Sequence, residues 1–277
     1  GQPGDDAAVL RVGGETQVLT TDHLRAFIHD PRQMAQITAV HALGDIWAMG
    51  ARPQAVLAQI VLPRMAPALQ ARSLAEIMQA AAAVFTAEGA QIVGGHTTMG
   101  AELTIGFSIT GLMPQGQPAL TIAGAQAGDM LLLTRSIGTG TILAAHMQGA
   151  APGRDVAQML TEMAQPQGQA AALLRPVAHA MTDVTGFGLA GHLGQICRAS
   201  GVSAQLRLGQ IPFYHGAVAL AVAGHHSALM QANMAAMPVF GPDGPHTRLL
   251  HDPQTAGGLL AAVPKPHADR VLAALQQ

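Results

Sequence analysis

Four aspartates carry the clearest chemistry in this chain. They are Asp6 in Gly4-Asp5-Asp6, Asp22 in Thr20-Thr21-Asp22, Asp45 after Gly44, and Asp183 in Met181-Thr182-Asp183-Val184-Thr185-Gly186-Phe187-Gly188. Carboxylates are scarce here, with only 16 Asp and Glu in 277 residues. Hard cations such as Mg²⁺ take carboxylate oxygens, and an Mg²⁺-bound nucleotide also needs close approach to the backbone. Acids far apart in sequence, each beside Gly or Thr, read as one oxygen-rich site assembled by folding. The plainer reading stands beside it: Asp, Gly and Thr simply favour turns.

Asp45 is the most constrained of the four. It falls late in an apolar helix among Ile46, Trp47 and Met49, where a buried, unpaired carboxylate is costly. It is therefore a cap, an ion-pair member or a metal ligand. Two glycine-rich segments add candidate ligand contacts. Gly94-Gly95-His96-Thr97 combines close backbone approach with a threonine hydroxyl, and an ordinary glycine turn is its plain alternative. Gly138-Thr139-Gly140 precedes a helix, a place where backbone N–H groups can face an anion.

These residues need elements to position them, and the pattern alternates strands with helices. Strands are expected over residues 7–12 and 17–20, around Gly13-Gly14. Asp30-Pro31 is an N-cap followed by proline at the first helical position, and that helix runs to about Met49. A strand over Ala55–Leu62, an alanine-rich helix over Leu69–Phe85, a short buried strand over residues 91–93 leading into a Gly94–Thr97 loop, and a strand over Leu103–Leu112 follow. The stretch Pro114-Gln115-Gly116-Gln117-Pro118 marks a boundary between domains at residues 1–115 and 116–277. Beyond it come strands over 130–134, 178–181, 202–206 and 257–263, and helices over 140–146, 155–174, 189–199, 214–223 and 267–275. Two sheets in mixed order point to an α+β fold in two halves.

Composition excludes several classes. A 49% hydrophobic and 11% charged chain with net charge −2 is neither disordered nor basic enough for nucleic acid. No apolar run reaches membrane-spanning length. The lone Cys197 cannot form an internal disulfide, which fits a cytoplasmic protein, and it reads as a small core residue rather than a nucleophile. Lys265 is the only lysine, so no Walker-type phosphate loop is present.

The segments Met181–Leu193 and Asp252–Leu260, with Thr20-Thr21-Asp22, Asp45–Gly50 and Gly94–Thr97, resemble selenophosphate synthetase (selenide, water dikinase) in the right order over nearly the whole chain. Its superfamily includes aminoimidazole ribonucleotide synthetase and thiamine-monophosphate kinase. The resemblance implies a two-domain α+β fold of the aminoimidazole ribonucleotide synthetase type. The N-terminal domain would bind ATP and dimerise through a β-barrel, forming a homodimer. The implied reaction is ATP-dependent conversion of selenide and water to selenophosphate, AMP and phosphate. By position, Asp6 (or its neighbour Asp5), Asp22, Asp45 and Asp183 match the acids that hold Mg²⁺ on ATP. Thr21, Gly94, Gly95, His96, Thr97, Gly138, Thr139 and Gly140 match nucleotide-contacting positions.

The chain also departs from that pattern. The family's mobile N-terminal segment carries a Cys or selenocysteine and a functional Lys, and neither has a counterpart here. No catalytic residue is therefore assigned. His41 stands where many relatives have Asn, and the loop after Gly94-Gly95-His96-Thr97 is short and poor in acids. These features resemble forms fused behind a pyridine-nucleotide oxidoreductase-like domain, with weak or absent activity expected of these 277 residues alone. A phosphotransferase such as thiamine-phosphate kinase, or a non-catalytic nucleotide-binding module, are the alternative readings.

Overall fold

The computed structural model describes residues 4 to 276. They form two compact units: residues up to Ala119 together with Ala164–Gln169, and Leu120–Met163 together with residues from Ala170 onward.

The first unit is built on a five-stranded sheet with two helices. Strands β1 (Ala8–Val12) and β2 (Glu15–Arg25) form an antiparallel hairpin. Helix α1 (Pro31–Ala48) starts where Asp30 accepts hydrogen bonds from the Arg32 N–H at 2.8 Å and the Gln33 N–H at 3.3 Å, with Pro31 in the first turn. Strand β3 (Arg52–Pro63), helix α2 (Pro67–Ala87), strand β4 (Gln91–Gly100) and strand β5 (Thr104–Leu112) complete the unit. The strand order is β1-β2-β5-β3-β4. Only β3 and β4 run parallel, joined by the α2 crossover that parallel pairing requires.

Alternation along the strands divides the sheet's faces. Val18, Val56, Ile60, Ile105, Phe107 and Ile109 are buried. They turn towards the helices, where the Phe85 ring meets Phe107 edge-on at 4.9 Å. Helix α1 contacts α2 as well as β2, β3 and β5, and is buried nearly all round, which is why it lacks a polar stripe. The opposite face of the sheet leaves Leu10, Val12, Leu19 and Leu57 exposed.

The segment around Gly94 differs from expectation. Residues 91–100 are one continuous, largely exposed edge strand, so Gly94, Gly95, His96 and Thr97 are strand residues and not a loop. Glycine at 95 reads as a loop signal, but a Cβ there would overlap the Ala58 carbonyl oxygen, so its purpose is close approach of β4 to β3 beside a register shift.

The second unit holds a three-stranded antiparallel sheet. Strands β6 (Asp129–Leu133), β7 (Ala180–Asp183) and β8 (Leu259–Pro264) lie in the order β6-β8-β7, and β8 is buried from Leu259 to Val263. The helices are α3 (Thr139–Met147), α4 (Gly153–Met163), α5 (Gly168–Leu174, whose first two residues cluster with the first unit), α6 (Gly188–Ser200), α7 (Ala217–Val222), α8 (Met230–Ala236), α9 (Pro245–Leu249) and α10 (Lys265–Leu275). Ile137, Val184, Leu189, Ile196, Leu250 and Leu260 anchor a core between the sheet and α6.

Three expectations change here. The single helix over 155–174 is two, α4 and α5, because Pro166 lacks an N–H and pushes Gln165 out of helical geometry. Residues 202–206 form no strand. They lead away from the left-handed cap at Gly201, where the Val202 N–H bonds the Cys197 carbonyl. Helices α8 and α9 were not anticipated; each is under two turns and too short for a helical period to show.

Candidate functional site

In the first unit, the spacing of β2 matches the spacing of α1. Thr20 and Asp22 share one face of β2 at i, i+2, while His41 and Asp45 share one face of α1 at i, i+4. The Thr20 hydroxyl donates to the Asp45 carboxylate, and the His41 Nε2 lies 3.7 Å from Asp22. Burial pushes the His41 pKa down, with Asp22 pulling the other way. Asp6, two residues before β1, offers a carboxylate oxygen within 4.8 Å of one on Asp45. A pair of oxygen donors with no nitrogen or sulfur between them suits Mg²⁺ rather than zinc. Asp22 is not among the acids grouped this closely. Of the four acids, Asp22 sits within a strand and Asp45 within a helix, so the turn reading fails for both.

In the second unit, Asp183 closes β7 and is buried. The chain after it is held on every side. The Val184 N–H bonds the Gly258 carbonyl at 2.8 Å, and the Gln254 N–H bonds the Thr185 carbonyl at 2.9 Å. The Thr185 N–H donates to His192 Nε2 at 3.1 Å, and Asn233 donates through Nδ2 to the carbonyls of Gly186 at 2.9 Å and His251 at 3.0 Å. Gly257 is required because a Cβ would overlap the Val184 carbonyl oxygen. Burial pushes the His192 pKa down to about 4, so its ring is neutral near pH 7.

The Asp252–Gly258 segment backs this turn and also caps α3. Gln254 Oε1 accepts from the N–H groups of Gly138 at 2.9 Å and Thr139 at 3.1 Å, and the Gly140 N–H donates to the Pro253 carbonyl at 3.1 Å. The Thr141 hydroxyl donates to Asp252 at 2.7 Å. The donors at Gly138, Thr139 and Gly140 thus hold the chain to itself. Asp252 is fully buried and its pKa is pushed up to about 6 by burial, against the hydrogen bonds from Thr141 and Gln254. The role of Gln254 was not anticipated. Its signal lies in Asp-Pro-Gln-Thr-Ala-Gly-Gly, residues 252–258, a segment that carries the family resemblance but no local mark of a helix cap.

The other candidates divide by strand face. Thr21 accepts from Ser108 at 3.0 Å on the sheet face opposite Thr20 and Asp22. Gly94, Gly95, His96 and Thr97 line the exposed edge strand, with Thr97 beside a groove of about 470 Å³ formed with Leu62, Gln70 and Met99.

Residues 4–113 match the family model for the N-terminal domain of AIR synthase related proteins, and residues 126–277 match the model for the C-terminal domain. A selenide, water dikinase from Bdellovibrio bacteriovorus is 33% identical over 98% of this chain and 79% of its own length. One from Rhizobium meliloti is 36% identical over 93% of this chain and 75% of its own. Among solved structures, the thiamine-monophosphate kinase of Stenotrophomonas maltophilia superposes with a TM-score of 0.73 at 21% identity, over 99% of this chain and 85% of that one. AaThiL complexed with AMPPCP and TMP gives 0.72 at 17% identity, over 95% and 80%. At those identities the likeness shows the two-domain fold alone.

Proposed function

The chain belongs to the selenide, water dikinase family of AIR synthase related proteins, and from that premise we propose that it forms selenophosphate from selenide, water and ATP, with release of AMP and phosphate. The pairing of Asp6 with Asp45 carries this reading at the level of residues, since it gathers two scarce carboxylates into an oxygen-only donor set. Asp6, Asp22, Asp45 and Asp183 are proposed to hold Mg²⁺ on the nucleotide. Bound there, the ion neutralises charge on the phosphoryl groups being cleaved.

The chain's own residues supply orientation. Thr20 fixes one oxygen of Asp45, His41 stands beside Asp22, and the Asp252–Gly258 segment braces the backbone that carries Asp183. Gly94, Gly95 and Thr97 remain proposed nucleotide contacts because β4 is an edge strand with one side of its backbone unpaired by the sheet. The exposed face with Leu10, Val12, Leu19 and Leu57 supports a second proposal, that two copies pair through this sheet.

The deciding experiment is anaerobic incubation with ATP, Mg²⁺ and selenide, followed by ³¹P NMR. Selenide-dependent AMP and a selenophosphate resonance are expected, weakly from these 277 residues alone and fully once a segment carrying the family's Cys and Lys is supplied ahead of them. ADP with a phosphorylated small molecule, or ATP binding with no selenide-dependent AMP even then, would overturn the reading.

A further inference from the structure

We propose that His192 is a positioning residue for the Asp183 carboxylate, gripping the residues on both sides of Asp183-Val184 with the two nitrogens of one ring. The inference rests on the reading of Asp183 as a metal ligand given above.

The geometry fixes the ring's state. The Thr185 backbone N–H can only donate, and it lies 3.1 Å from Nε2. Nε2 must therefore present its lone pair, and the single proton of the neutral ring resides on Nδ1. That nitrogen lies 3.5 Å from the Thr182 hydroxyl oxygen, which has lone pairs to receive it. Thr182 and Thr185 bracket Asp183-Val184. One side chain thus spans the last residues of β7 and the first residue of the turn.

The location explains why a polar group is there at all. His192 lies on the buried face of α6 beside Leu189, Leu193 and Ile196, and it is 5% exposed. An apolar residue would fill this space without the cost of burying an imidazole. The β8 side of the turn is already held by main-chain bonds to Gly258 and Gln254. His192 adds the restraint from the helix side, and the Phe187 ring, 5.7 Å away between centroids, covers it. A residue behind a metal ligand typically changes metal affinity by about 10- to 100-fold when replaced.

Two amide variants separate this role from plain packing. The Gln side chain reaches the place of Nε2, and the Asn side chain reaches only that of Nδ1. Mn²⁺ titration followed by electron paramagnetic resonance, with a non-hydrolysable ATP analogue present, is expected to show His192→Asn weaker by about tenfold and His192→Gln within about threefold of the parent. Thermal unfolding of both variants reports any loss of fold separately. Long-range ¹H–¹⁵N NMR of the unmodified protein at neutral pH should find the ring proton on Nδ1, a result that requires no variant to fold. Equal Mn²⁺ affinity for Asn and Gln variants, or a proton on Nε2, overturns the proposal. Asp183→Asn serves as the control: if it leaves Mn²⁺ affinity unchanged, the assignment of Asp183 as a ligand fails, while the tautomer still decides the His192 geometry.

Discussion

Thr20 on β2 donates its hydroxyl to the carboxylate of Asp45 on α1, so the acid in the last turn of an apolar helix is aimed by the strand beneath it. The bond fills one lone pair of one oxygen and leaves the others for Asp45's remaining neighbours.

That arrangement predicts the behaviour of Thr20→Val, which keeps shape and removes the donor. Mn²⁺ affinity in the presence of an ATP analogue is expected to fall about tenfold, as for other residues behind a metal ligand. Urea unfolding should show a loss of only about 1 kcal/mol, the usual worth of one hydrogen bond. Unchanged Mn²⁺ affinity in a folded variant would remove Thr20 from the site.

Gly95 makes a different kind of prediction. Because a Cβ at this position would overlap the Ala58 carbonyl oxygen, Gly95→Ala must push β4 away from β3. A destabilisation of at least about 2 kcal/mol is expected in urea. Gly13→Ala, where a Cβ meets nothing within 4 Å but φ is +59°, should cost less, about 1 kcal/mol from backbone strain alone. Equal costs would mean that β4 has room at its partner's backbone.

What was legible in the sequence follows from how local each signal is. Asp30-Pro31 announced the start of α1 because a cap and a fixed φ act within a few residues. The hairpin about Gly13-Gly14 was legible for the same reason, and the strand expected over 178–181 forms two residues later, over 180–183. The edge strand β4 was not, since its two glycines signal a loop locally and are explained only by the Ala58 backbone beside them. Gln254 was missed as a cap for α3 because it lies more than a hundred residues away, and no local pattern links a glutamine to a distant helix start. Among the acids, their scarcity was visible in the sequence, whereas the match of β2 and α1 spacings that pairs Thr20 with Asp45 and Asp22 with His41 needs the packed helix on the sheet.

The open face of the first unit's sheet yields a test of pairing between copies. Leu19 and Leu57 sit on central strands of that face and are exposed by 39% and 48%. If two copies bury this surface, a charge placed there must be desolvated without a partner, so Leu57→Lys should shift sedimentation towards the monomer. Lys introduced at Leu69 on α2, also exposed, should leave the distribution unchanged. Dimer that survives Leu57→Lys would place the interface elsewhere.

Asp252 carries the last prediction, in the dependence of stability on pH. Its carboxyl is fully buried and is neutralised at about pH 6 in the folded chain, compared with 3.8 when exposed. Between these values the folded state holds a proton that the unfolded state has lost. Asp252 therefore favours folding below its unfolded pKa, and this advantage disappears as pH rises through about 6. Above that, the buried charge is tolerated through the bonds from Thr141 and Gln254. In Asp252→Asn nothing titrates at this position, though the new amide NH₂ opposes one of those two donors and lowers stability at every pH. The difference in unfolding free energy between parent and variant should therefore shift in the parent's favour by about 2 kcal/mol on going from pH 7 to pH 4.5. Urea unfolding of both proteins at the two pH values measures it, and a gap that stays constant would show that Asp252 is ionised in the fold across this range.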